Sequence, residues 1–257
     1  DGVSWTQRVE ITTDVKKPEW GYYYTGPGHG IQLQSGRLLF PCHHSGRGAP
    51  QRDFTTWMSS ASSHVFYSDD HGATWHLGGD SDRFMDECQV VERADGSLLL
   101  SMRNYLGNFE LGKPLSGSQQ RAFATSMNGG QTWSASALNP QVYCCACMTS
   151  IARHSLAATG DRNRIVYAGP GGPGRTNTTI RLSYDEGRSW PVARVLDSGP
   201  AGNLNAIGLP DGRIGVLYNF RHQPCRCLEF RTAQCPAHDN QTDCEVELWG
   251  YGQLHGS

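Results

Sequence analysis

An all-β chain made of repeated small antiparallel sheets, the architecture of a β-propeller, is what this sequence predicts, and three observations predict it. A short turn motif recurs at near-regular intervals. Strand-like apolar runs opened by glycine turns lie between its copies. No long apolar stretch at helical spacing interrupts them. The 31 glycines and 13 prolines agree with many short strands joined by turns.

The motif is S-x-[DN]-x-G-x-x-W. It reads Ser68-Asp69-Asp70-His71-Gly72-Ala73-Thr74-Trp75, then Ser126-Met127-Asn128-Gly129-Gly130-Gln131-Thr132-Trp133, then Ser183-Tyr184-Asp185-Glu186-Gly187-Arg188-Ser189-Trp190. Asp1-Gly2-Val3-Ser4-Trp5 matches its second half, so Trp5, Trp75, Trp133 and Trp190 fall 70, 58 and 57 residues apart. Each complete copy follows a strand-like run, at residues 64–67, 121–125 and 178–182, and its Asp or Asn plus Gly suits a tight turn. The motif is therefore expected at a hairpin corner with its Trp packed inward. Further strands should follow the turns at Ser35-Gly36, Asp95-Gly96 and Asp211-Gly212. Several strands per repeat at this period means propeller blades.

Composition removes other classes. Acidic and basic residues are interspersed and nearly balanced, with a formal charge of −2, which is not the basic stripe of a nucleic-acid binder. No apolar run approaches the length of a membrane-spanning helix. Nine cysteines and two glycosylation acceptors, at Asn177 and Asn240, point to the secretory pathway, hence a secreted or lysosomal protein. Cys144, Cys145 and Cys147 form one cluster and Cys225, Cys227, Cys235 and Cys244 another. Neither offers paired CxxC clamps, so loop-stapling disulfides are expected, with no metal and no cofactor.

The repeated motif resembles the Asp boxes of the sialidase (neuraminidase) family. That resemblance covers nearly all 257 residues and implies a six-bladed propeller, of which this chain supplies about four blades. The rest of the ring would come from an N-terminal segment or another chain. A cysteine-rich stretch at about 221–244 looks like an insertion. In this family the boxes are structural, so their Asp residues are not expected to be catalysts.

The resemblance also implies a chemistry, the release of terminal sialic acid from sialylated glycans. Sialic acid carries a carboxylate on its anomeric carbon. An enzyme that cleaves its glycosides needs fixed arginines for that group, and a neutral tyrosine, deprotonated by a nearby Glu, as nucleophile. The segment from Asp86 to Asn104 looks like the family's segment carrying the Glu and one arginine, here Glu87 and Arg103. An antiparallel strand pair can bring both to one blade end. Gly174-Arg175-Thr176 resembles the stretch delivering a further arginine, Arg175. The run from Trp20 to Gln32, with His29, matches a segment bordering the cleft.

Two positions depart from the pattern. The family's nucleophilic Tyr is replaced by Asn203, and a Glu that braces an arginine by Asn219. An amide cannot replace a phenolate or a carboxylate charge. The family's first arginine and acid/base Asp have no counterpart in this chain. The expectation is therefore a sialidase-family exo-α-sialidase with an altered centre, or a catalytically inactive glycan-binding or structural propeller.

Overall fold

The computed structural model describes residues 3–48, 54–106, 119–143, 146–159, 162–220, 227–234 and 245–253, with backbone alone for 54–55 and from 219 onward. Among the described residues helix is confined to α1 (Thr12–Val15), α2 (Phe54–Ser60) and one 3-10 turn at Ala157–Thr159. Among the described residues no helix is long and apolar enough to cross a membrane.

The strands group into four blades. The first holds β1 (Trp20–Thr25), the two-residue β2 (Ile31–Gln32), β3 (Leu38–Gly46), β4 (Ser62–Ser68) and β5 (His76–Arg83), in the order β1-β3-β4-β5 with β2 also on β3. The second is the meander β6 (Met85–Glu92), β7 (Leu98–Asn104), β8 (Gln120–Ser126) and β9 (Ala137–Tyr143). The third runs through β10 (Ser150–Ser155), β11 (Arg164–Pro170) and β12 (Thr176–Ser183) into β13 (Val192–Gly208). Residues 192–200 of β13 pair with β12, and residues 201–208 pair with β14 (Arg213–Phe220). One long strand is thus the outer edge of the third blade and the inner edge of the fourth, which β15 (Cys227–Gln234) and β16 (Glu245–Gln253) complete. The stretch expected to be an insertion therefore carries a blade strand, because β15 pairs along the whole of β14.

The core lies mainly in the seams between blades. Leu39 and Val65 of the first blade meet Val90, Leu98 and Leu100 of the second. Val91, Leu99 and Phe123 meet Ile151, Ile165 and Trp190, and Val166, Ile180 and Leu182 meet Leu204, Ala206 and Val216. Strands that lie in these seams, such as β7 and β11, are buried on both faces and read as near-continuous apolar runs, whereas the outer strands β5 and β9 are largely exposed.

The three complete motifs form the same turn. The Ser hydroxyl donates to the Asp or Asn (Ser68 to Asp70, Ser126 to Asn128, Ser183 to Asp185) and accepts the glycine N–H two residues beyond that residue. The same Asp or Asn accepts the backbone N–H of Thr74, Thr132 or Ser189. Gly72, Gly130 and Gly187 take φ of 90°, 90° and 86°, the left-handed region that a side chain strains to enter. A Cβ on Gly187 would also stand 2.4 Å from Leu99 Cδ2 in the neighbouring blade. Ser183→Ala removes a fully buried hydroxyl and orphans the Gly187 N–H, so a loss of about 1–3 kcal/mol is expected. A lower denaturation midpoint at unchanged slope is the reading that checks it.

Hydrogen bonds from Thr74 and Ser68 hold Asp70 at about 2. At Asp185 burial opposes ionisation, and hydrogen bonds from Ser189 and Ser183 outweigh it, keeping the carboxyl below its usual value. Depressed carboxylates stabilise the fold above the unfolded value and lose that contribution as pH falls through the folded value, so these two turns weaken in acid. The Asn128 turn carries no ionising group.

Two expectations change. Trp190 is buried, but Trp75 and Trp133 are half-buried, and Trp5 is 86% exposed because residues 3–10 form no strand for it to pack on. Cys147, expected in a loop-stapling disulfide, is a buried thiol in the structure, as are Cys42 and Cys88. Burial pushes the Cys42 thiol up to about 12. Residues 144, 145, 225, 235 and 244 lie outside the described residues. The Asn177 side-chain amide donates to the Gly172 carbonyl, which ties it into its own hairpin; Asn240 lies outside the described residues.

Candidate functional site

The inner strands β6, β10 and the second half of β13 run in the same direction. The Gln89 side chain accepts the Ile151 N–H, and further along both strands, three residues on in β6 and two in β10, Arg153 donates to the Glu92 carbonyl. Ser150 Oγ likewise receives the Ala206 N–H. The starts of these strands, near residues 85–87, 146–150 and 201–203, therefore share one end of the propeller.

At that end lie five of the sequence-predicted residues, Glu87, Arg103, Arg175, Asn203 and Asn219. Glu87 lies at the start of β6, where a register shift between Met85 and Cys88 re-aims the strand. Arg103 lies at the end of β7, antiparallel to it, and its Nη1 donates to Glu87 Oε2 at 2.8 Å. Both side chains are less than one-fifth exposed. Burial works against the Arg103 charge, but Tyr105, Glu87 and Asp86 more than offset it and raise its pKa. The guanidinium carbon stands 4.8 Å from the Tyr105 ring centre.

Arg175 precedes β12 at the same end, and its carbonyl accepts the Ala201 N–H. Its Nη2 donates to the Ala146 carbonyl at 3.1 Å. Arg121, fully buried, donates to the next carbonyl, that of Cys147, and also to the Glu87 carbonyl and Ser101 Oγ. Arg121 thus links the loop that holds Arg175 to the backbone of Glu87. Asn203, two residues past Ala201, is exposed at the start of the inner half of β13. Asn219 sits near the end of β14, its backbone paired with Leu228.

His29 occupies a different level. Its Nδ1 lies 3.1 Å from Asn205 Oδ1 and 2.6 Å from Gln89 Nε2, midway along the inner strands, and burial lowers its pKa. It lines a cavity of about 370 Å³ with Glu92, Arg153 and Gly208, at the strand ends away from Glu87.

Sequence reading missed the groups packed behind Glu87. Asp86 is 2% exposed, with His43 Nε2 at 3.1 Å from Oδ1 and the Tyr105 hydroxyl donating to Oδ2 at 2.8 Å. His43 Nδ1 lies 2.7 Å from the Gly26 carbonyl, and its Nε2 is 3.5 Å from the Tyr22 hydroxyl. Burial first, then Asp86, raises the pKa of both Tyr22 and Tyr105, so both stay neutral phenols. The adjacent acids Asp86 and Glu87, which alternate across a strand, were the one signal that a second, buried carboxylate backs the first.

The fold and this end of it define a β-propeller that presents part-buried arginines and a carboxylate at the end where its inner strands start. Comparison with known proteins adds the lineage. The family model described as a BNR repeat-like domain matches residues 1–218. The chain is 30% identical over 222 residues to a sialidase of Micromonospora viridifaciens, covering 84% of this chain and 32% of that protein. A Bacteroides fragilis sialidase is 29% identical over 227 residues, 85% of this chain and 37% of its own. Among solved structures, the Hadza microbial sialidase Hz136 superposes with a TM-score of 0.70 at 27% identity, covering 85% of this chain and 39% of that one. The chain belongs to the sialidase family, and it spans about a third of the length of these curated relatives.

Proposed function

We propose that the chain forms the carboxylate-gripping part of a sialic-acid cleft, and that Asn203 leaves this cleft able to hold sialylated glycans without cleaving them by the family's covalent route. The observation that carries this reading is the Glu87–Arg103 pair at 2.8 Å, with Arg175 secured at the same end through Ala146. Arg103 and Arg175 present planar donors to a ligand carboxylate. Glu87 takes the role of the nucleophile's partner, and at the nucleophile's position Asn203 is an exposed amide with no phenol proton to give up.

Near Glu87 and Arg103 the Tyr105 hydroxyl is committed to Asp86 Oδ2, and the Tyr22 hydroxyl lies 3.5 Å from His43 Nε2. Two further blades from an N-terminal segment or another chain close the ring and cover the apolar faces of the outermost blades. They also carry the missing arginine and acid/base Asp, and the assembled protein works in the secretory pathway.

The test uses the full-length protein. Isothermal titration should detect a sialylated oligosaccharide and not its desialylated core, while a fluorogenic sialoside releases no fluorophore above the uncatalysed rate. Robust turnover by the natural sequence would reject the binding-only reading and point to Glu87 activating water directly.

A further inference from the structure

A second cluster of ligating groups lies in the first blade, apart from the cleft. His44 is on β3, His64 on β4 and Asp80 on β5. The register pairs His64 directly with Asp80 and places His44 opposite Ser62, two residues from His64. All three side chains therefore project from the same face of the sheet.

We propose that His44, His64 and Asp80 bind a single divalent cation of the zinc class. His44 Nδ1 and His64 Nδ1 stand 3.0 Å apart, and one ligand atom from each of the three residues lies within 4.8 Å of the others. A tetrahedral zinc with bonds of about 2.0–2.1 Å separates its donors by about 3.3 Å, so the imidazoles already hold close to the required spacing. Asp80 closes the site by a side-chain rotation, since its carboxylate is partly exposed and meets Lys17 at 3.4 Å.

The surroundings keep the donors in place and available. Trp20 stacks on His44 at 3.7 Å between ring centres and lies 4.7 Å from His64, while Tyr23 stands against His64 at 5.4 Å. His44 and His64 are almost fully buried, and His64 Nε2 has no hydrogen-bond partner. A cleft of about 360 Å³, lined by Lys17, Glu19, Trp20, His44, Asp80 and Arg83, gives a cation entry and leaves a position for water or a small anion. Two imidazoles and a carboxylate favour zinc over calcium or magnesium, which prefer all-oxygen shells.

The competing account is a cation-free hydrogen bond between the two imidazoles, and titration of the full-length protein with Zn²⁺ and Co²⁺ separates the two. The proposal expects one cation per chain and ligand-field absorption of low-coordinate cobalt without thiolate charge-transfer bands. Asp80→Asn, at an exposed position that leaves the core intact, should weaken binding by about tenfold or more, and His44→Gln should remove it. Absence of binding, thiolate bands that place cobalt on cysteine, or equal affinity in the wild type and both variants would overturn it. Sialoside binding does not enter this experiment.

Discussion

Asn203→Tyr in the full-length protein is expected to raise fluorophore release from a sialoside reporter by roughly a hundredfold or more over the natural sequence. Losing the nucleophile of a serine hydrolase costs about 10⁶-fold in rate, so partial recovery of a comparable loss is a large signal. The supporting parts are already present. Glu87 is held by Arg103 on its side chain and by Arg121 on its carbonyl, and Asn203 is exposed beside Ala201, where a larger ring has room. A Tyr at this position would find a carboxylate to accept its proton and, in the assembled ring, a substrate whose carboxylate Arg103 and Arg175 fix. A rate unchanged by the substitution, with sialoside binding intact, would mean that Glu87 does not face residue 203.

The second large effect is expected at Arg103. Arg103→Ala should raise the dissociation constant for a sialoside by about 10- to 150-fold for each charged hydrogen bond lost, since such bonds are worth about 1.5–3 kcal/mol. The same change strips Glu87 and Asp86 of their cation, so some stability is lost as well. Arg103→Lys keeps the charge but not the planar fork. It should recover the melting temperature more fully than the affinity. Equal affinity in all three proteins would remove Arg103 from the ligand site.

The turn motif was legible because its chemistry is local. Ser183, Asp185, Gly187 and Ser189 complete one another's hydrogen bonds within seven residues, so the pattern in the sequence is the structure of the turn. The Glu87–Arg103 pair was legible for a related reason, since one tight turn pairing Glu92 with Leu98 fixes the register of both strands. Asp86 with His43 and Tyr105, the Arg121 strut, and the facing imidazoles of His44 and His64 were not. Each depends on which strands lie side by side and which face they turn inward, and residue types alone do not give that. Trp75 and Trp133 show the same limit from the other side. The motif places them at the corner, but the neighbouring blade decides how deeply they are covered. Spacing alone groups Cys147 with its neighbours in the sequence, while its burial depends on the blades packed around it.

The central claim is that this end of the propeller grips a sialic-acid carboxylate, and removing that group from the ligand tests it most directly. Isothermal titration of the full-length protein would compare a sialoside with its methyl ester, which has the same shape without the charge. The account predicts that the ester binds at least about tenfold more weakly, and that Arg103→Ala erases the difference. Equal affinity for acid and ester in the natural protein would contradict it.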